Sequence, residues 1–391
     1  LDMSYHHHGS GDPLLDFFRN LRKGGNATPS LFSSKFGLVL NRNHQYPGTL
    51  VAVFYHAAQA VTDPALNCFD NEQSREAGKR ELLEKLGRWC GVTKAQVRRF
   101  DHRALSNLMG AFSALRVRPP SDFLERWAEQ IPSQLRPEHH TSLQEITTAL
   151  ADLAICPAEK VSKVLASGTQ ELANSLSSKA VLAHLYRLAV LDSLCPNASQ
   201  GSLKQSAQDL AEHIVPRLLN TNGKGQISVP ERRRLLTVLQ WFSEEKIKGI
   251  EAPHENGTAS FSERSLRGNF ETAGAVSQEP FICPQTGHKF DLSMRFNGSC
   301  AHLEYDGPCH FVKGVTGQDI FYEGNTILQT RLHTKLLPED VIVRVPYFLC
   351  DRQNGNSQMW PSAKEAISNA PPGIYMLEGT GDLVPFCEDI Q

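Results

Sequence analysis

Asp291 and Glu304 are the residues of this chain whose types and spacing point first to chemistry. The run from His288 to Phe296 alternates apolar and polar residues, and a second alternating run, Ser299 to Asp306, follows Asn297-Gly298. Asn-Gly between alternating runs predicts a β-hairpin closed by a two-residue type I′ turn. Such a turn sets the register so that residues whose numbers sum to 595 face each other. Asp291 then opposes Glu304, Lys289 opposes Asp306, and Ser293 opposes His302, all on one face. The apolar pairs Leu292–Leu303, Phe290–Tyr305 and Met294–Ala301 fall on the other face. Two carboxylates directly opposite, with Cβ atoms roughly 5 Å apart, repel each other. A chain keeps such a pair when a cation lies between them or when one carboxyl stays protonated. Hard oxygen ligands at this spacing suit Mg²⁺, which could activate a water and stabilise charge on a scissile phosphate. The plainer alternative is a solvated hairpin face with Lys289–Asp306 as an ordinary surface pair.

The elements that must position this hairpin differ from it. From about residue 49 to 249 the apolar residues recur at three- and four-residue spacing, the pattern of helices. A repeat runs inside it. Leu105, Leu143 and Val181 stand 38 residues apart, as do Phe112, Leu150 and Leu188, and Leu115, Leu153 and Leu191. Pro119, Pro157 and Pro196 close the blocks. Helix–turn–helix units of this length cannot bury their faces alone and stack into a solenoid with an extended concave surface. A degenerate fourth unit is expected through Arg232–Trp241.

Between Lys79 and Arg118 there are ten basic and three acidic residues, in a chain whose net charge is only −2. Arg98, Arg99, Arg103, Arg116 and Arg118 belong to that run and make it a candidate phosphate-backbone surface. Most charge runs are merely solvated helix faces, and that reading stays open. No stretch approaches the length of apolar sequence a spanning helix needs, so no membrane partner is expected. The 391 residues suggest more than one domain. Residues 1–12 read as a tag and linker, 13–48 as a flexible lead, 49–249 as the helical-repeat domain, 250–280 as a polar linker, and 281–391 as an α/β domain. The nine cysteines are scattered and odd in number, which predicts reduced thiols in a cytoplasm-like compartment.

Three runs in the last segment carry a resemblance: HLEYDGPCHF (302–311), GNTILQTRLHTKLL (324–337) and VIVRVPYF (341–348). Over about 70 residues they resemble the RAP domain, with Glu304, Asp306, Gly307, Pro308, His310, Phe311, Thr326, Leu328, Arg331, Pro346 and Tyr347 in register. Gln329 stands where the family often carries Lys. The upstream array resembles octotricopeptide repeats, which accompany RAP domains. The RAP domain in turn is similar to the very-short-patch-repair branch of the restriction-endonuclease-like fold. That resemblance implies that Asp291, Glu304 and Asp306 ligate metal and that His310 relays a proton to or from the attacked phosphate. The position where the wider superfamily carries a catalytic Lys holds Asp306 instead. Arg331 and Lys335, one turn apart behind Asn325-Thr326, are candidate phosphate contacts together with Lys289. Each of these residues also has a structural reading: a turn for Asp306-Gly307-Pro308, a hydrogen-bonded core histidine for His310, a solvated helix face for Arg331 and Lys335.

The expectation is therefore an α-helical repeat solenoid followed by a C-terminal restriction-endonuclease-like α/β domain, acting on single-stranded RNA. The sharper form is a Mg²⁺-dependent endoribonuclease or RNA-processing factor using Asp291, Glu304, Asp306 and His310. Two alternatives stand beside it: a catalytically inert RNA-binding or RNA-stability factor, and a protein-binding solenoid adaptor or delivered effector. The RAP resemblance implies a mitochondrion or plastid; a bacterial cytosol, or delivery into a host cell, stands beside it. The oligomeric state is not indicated.

Overall fold

The computed structural model describes residues 12–22, 29–41, 47–63, 69, 71–92, 97–195, 201–219, 227–242, 260–296, 299–315, 317–350, 359–386 and 389–390. The chain is mixed α/β and divides into two compact units. One comprises residues 1–171 with 313–318; the other comprises 172–312 with 319–391. No helix among the described residues is long and apolar enough to cross a membrane.

The first unit is helical. It holds α1 (Pro13–Arg22), α2 (Pro29–Asn41), α3 (Pro47–Thr62), α4 (Glu72–Val92), α5 (His102–Leu115), α6 (Ser121–Gln134), α7 (His140–Asp152) and most of α8 (Glu159–Ser175). Where the sequence reads as a flexible lead, α1 and α2 bury Phe18 and Phe32 completely, edge to face. The signal for them was weak because each is short and the stretch Lys23-Gly24-Gly25-Asn26 breaks the pattern between them. Two-residue β1 (Val117–Arg118) pairs in parallel with Lys313 and Gly314 of β5 (Phe311–Gly314).

The second unit opens with α9 (Ser178–Leu194), α10 (Gly201–Leu219) and α11 (Val229–Phe242). Helices α5, α7 and α9 begin at the 38-residue interval read from the sequence, and α6 and α8 keep it too. All nine repeat positions are buried, from Leu105 to Leu191. The interval survives because its punctuation is local: Asp101 accepts from the Ala104 amide to start α5, and Ser177 from the Ala180 amide to start α9. Helix packing inside the first unit is tight at Gly168, where a Cβ would lie 2.4 Å from the Leu143 side chain. That residue must stay small.

Past the helices, α12 (Phe261–Thr272) falls in the stretch read as a linker, and its Leu266 and Phe270 are fully buried. Ser260 caps it through the Glu263 amide. A six-stranded mixed sheet follows, in spatial order β2 (Ser277–Gln278), β3 (Leu292–Phe296), β4 (Ser299–Asp306), β7 (Val341–Pro346), β8 (Gly373–Leu377) and β9 (Leu383–Pro385). The β4–β7–β8 core is parallel and its flanks are antiparallel. Between β4 and β7 the chain forms β5, β6 (Ile320–Tyr322) and α13 (Gly324–Leu336); between β7 and β8 lie the single turn α14 (Tyr347–Cys350) and α15 (Met359–Asn369). The short β10 (Asp389–Ile390) pairs antiparallel with β6.

One sheet face buries Leu292, Met294, Ala301, Leu303 and the valines of β7 against α12 and α15. The opposite face buries Ile342 with Phe290 and Cys283 and is bordered by Leu336 at the end of α13. With both faces covered, β7 reads as an almost continuous apolar run. One of its residues breaks that run: Arg344, 1 % exposed.

The thiols are not all reduced. Cys156 and Cys195 are disulfide-bonded, while Cys283, Cys300, Cys309 and Cys350 are in no disulfide. Cys156 and Cys195 stand about one repeat apart, each just before a proline, a regularity that a count of cysteines and a search for close pairs pass over.

Candidate functional site

The hairpin register holds along β3 and β4: Leu292 faces Leu303, Ser293 faces His302 and Met294 faces Ala301. The Asn297-Gly298 turn itself lies outside the described residues. At Asp291 the pattern slips. Its amide donates to the Leu303 carbonyl at 3.1 Å, and its carboxylate accepts from the Tyr305 amide at 2.7 Å. The slip carries Phe290 to the opposite face, among the rings of His288, His302 and His333, and away from its expected partner Tyr305. Lys289 likewise does not meet Asp306: it forms an isolated bridge to Ile282, and its Nζ lies 3.8 Å from Glu263. A one-residue change of register reverses every side chain beyond it.

Asp306 is completely buried at the end of β4, and Arg344 of β7 grips it. The guanidinium Nε donates to Oδ2 at 2.9 Å and Nη2 donates to Oδ1, a bidentate pair. Burial works against the guanidinium's charge, yet Asp306 and then Glu304 more than offset it and push its pKa up. Tyr322 lies beside the same carboxylate with its hydroxyl buried and without a hydrogen bond of ordinary length. Burial first, then the Asp306 charge, raises that phenol.

His310 sits in the single turn Pro308–His310, immediately after β4. Its Nδ1 is 2.9 Å from the Thr326 hydroxyl and 3.6 Å from Asp306 Oδ1. Burial lowers its pKa, against the attraction of Asp306. Two residues before Asp306 on the same face, Glu304 is bound through Oε1 to His288 Nε2 at 2.6 Å. Burial alone would raise the Glu304 carboxyl, but His288 and Arg344 hold it below the ordinary carboxylate range. Asp291 goes the other way. Burial and then the Glu304 charge push it up to about 8, so it carries a proton at neutral pH.

The acidic pair is thus resolved by the second of the two routes open to it, with one carboxyl neutral and one charged. The cation beside them is Arg344. This donor set does not suit a Mg²⁺ ion as it stands: both oxygens of Asp306 are occupied, Glu304 is bound to His288, and Asp291 is neutral. Among the described residues, no group of three or more His, Cys, Asp or Glu is arranged to hold a metal ion.

Arg344, His288 and Tyr322 were not singled out in the sequence. The signal for Arg344 was present, since one charge inside VIVRVPYF must find a partner if the strand is buried on both faces. His288 had no such signal, because its partner comes from a strand residue sixteen positions away.

The basic residues separate into two groups. Arg98, Arg99 and Arg103 are exposed, at the single turn Val97–Arg99 and the start of α5. Arg116 takes the left-handed conformation that ends α5, with φ 55°. Arg118 donates to the carbonyls of Leu153 and Ala154 at 2.7 and 2.9 Å, holding the end of α7. In the second unit, Arg331 donates to the Ser193 carbonyl at the end of α9, and Lys335 to the Gln240 carbonyl of α11 at 3.2 Å. These cations face the negative ends of helices, where a cation is stabilising. Of the remaining basic run, Lys94 and the side chain of Arg88 lie outside the described residues.

No family model and no curated protein sequence matches the chain.

Proposed function

We propose that this protein is an RNA-binding factor in which the helical repeats form a solenoid that follows single-stranded RNA and the RAP-like domain holds the strand without cutting it. The resemblance of 302–348 to RAP domains and of the helical array to octotricopeptide repeats supports the RNA partner. The observation that carries the non-cleaving form is the Asp306–Arg344 pair: the acid that would ligate Mg²⁺ in a nuclease is buried and neutralised by a guanidinium. The role that follows is RNA processing or stability through binding.

Gel shifts with single-stranded RNA test this reading. Binding should weaken steeply with salt, with a log–log slope set by the number of phosphates contacted. Incubation with Mg²⁺ or EDTA should leave the RNA uncut in both cases. Cleavage that needs Mg²⁺ and disappears in Asp306→Asn would overturn the binding-only form in favour of a metal-dependent endoribonuclease. The 3.6 Å approach of His310 to Asp306 is what favours that second reading; it would require Arg344 to release the carboxylate. Absence of salt-sensitive RNA binding, with a stable protein partner in pull-down, would instead favour a protein-binding solenoid.

A further inference from the structure

Two successive repeats of the first unit meet at a pair of histidines. His102 opens α5, and His139 is the N-cap residue of α7. Their imidazole rings lie face to face, 13° from parallel, with centroids 3.5 Å apart. Each ring is also tied through its Nδ1. The Arg136 amide donates to Nδ1 of His139 at 3.2 Å, so that nitrogen carries a lone pair rather than a hydrogen. Nδ1 of His102 lies 2.9 Å from the hydroxyl of the buried Ser142. With the neighbouring Ser106 hydroxyl donating to Glu145 Oε2 at 2.9 Å, the Ser142 hydrogen is left for His102.

Protonation works against this arrangement in three ways. On His139 it removes the lone pair that the Arg136 amide uses. On both rings together it sets like charges face to face. At the starts of two helices it opposes the positive end of each dipole. The charged neighbours do not reverse this balance. Burial above all, then the His139 ring, lowers the pKa of His102; Asp101 and Glu138 attract its charge and Arg103 repels it. Asp101 is engaged by the Ala104 amide, and Glu138 lies 3.9 Å from Arg136. Beside the pair on α7, His140 faces Glu171 of α8 at 3.8 Å.

We infer that the His102–His139 stack is a pH-sensitive joint, in which neutral rings lock the start of α5 to the start of α7 and mild acid separates them. The joint acts on the helical array itself and stands whether or not that array binds RNA. A histidine whose folded pKa is lowered takes up its proton more readily in the unfolded chain. The stability it contributes is therefore complete above about pH 6.5 and is lost as the pH falls through that value toward the lowered one.

Hydrogen exchange on the full chain tests this, read as protection factors so that the pH dependence of intrinsic exchange is removed. Between about pH 8 and about pH 5, the amides of α5 and α7 in the parent should lose protection by about tenfold or more. His139→Asn keeps an acceptor for the Arg136 amide and suits an N-cap, but it takes up no proton. Its α5 and α7 amides should hold their protection over the same range, as should those of His102→Asn. His213→Asn, exposed on α10, removes a histidine elsewhere and should follow the parent. Constant protection of α5 and α7 in the parent would overturn the inference without any variant. An equal fall in the parent and in both Asn variants of the stack would overturn it too, because another group would then carry the effect.

Discussion

The second unit uses arginine in two opposite ways, and the contrast separates structure from function. Around Asp306 one guanidinium is sealed inside the sheet, paired through two of its nitrogens to one carboxylate, and faces almost no solvent. Between α9, α11 and α13, three guanidiniums converge on open volume. A buried bidentate pair contributes less stability than its geometry suggests, because desolvation offsets most of the attraction. The sheet acid that resembles a nuclease ligand is therefore held by its neighbour, with both carboxylate oxygens engaged.

The contrast breaks most directly at Arg344. Arg344→Met should destabilise the protein by about 3–5 kcal/mol in urea unfolding, because it leaves the Asp306 charge buried and alone. The double variant Asp306→Leu with Arg344→Met should recover much of that loss, since an apolar pair of similar volume carries no desolvation penalty. A single variant as stable as the parent would mean that Asp306 has another cation, and the binding-only reading would lose its support.

Asp291 gives a smaller effect with a defined pH dependence. Its carboxyl titrates near 3.8 when unfolded and at about 8 when folded. Between those values the folded chain holds a proton that the unfolded chain has lost, so raising the pH through this window removes stability. Asp291→Asn keeps an oxygen for the Tyr305 amide and cannot ionise. It should match the parent below about pH 4 and exceed it by a growing margin as the pH rises toward 8. Unfolding curves across this range check it; an advantage that shrinks as pH rises would show that Asp291 is ionised in the fold.

These two residues also mark what the sequence could convey. The register of β3 and β4 was legible from Asn297-Gly298 and the alternation on either side, and it holds from Leu292 to Phe296. The charge relation between Asp291 and Glu304 was legible as a conflict that one of two devices had to settle. The slip at Asp291 was not, because a local bulge depends on what packs beneath it, here Phe290 among three histidine rings. Arg344 was visible as a charge in an apolar strand, but its partner depends on the parallel pairing of β4 with β7, a long-range choice. The repeat was the most legible part of the helical region, since its apolar positions and closing prolines recur within the chain itself. The arginine cavity was the least legible: Arg187, Arg233 and Asn325 come from three helices whose order in sequence says nothing of their meeting.

The smallest expected effect tests whether a basic residue in a RAP-like helix contacts RNA or the protein's own backbone. Arg331 donates to the Ser193 carbonyl, one residue before α9 ends. A cation there satisfies a carbonyl with no partner inside the helix and faces the negative end of the dipole. Arg331→Met keeps the aliphatic stem and removes the charge, so it should lower stability by about 1 kcal/mol. It should leave RNA affinity, and the salt slope of that affinity, nearly unchanged. A residue that contacts phosphate would behave in the reverse way, with intact stability and a slope reduced by roughly one. Measuring both quantities on one variant separates the two roles.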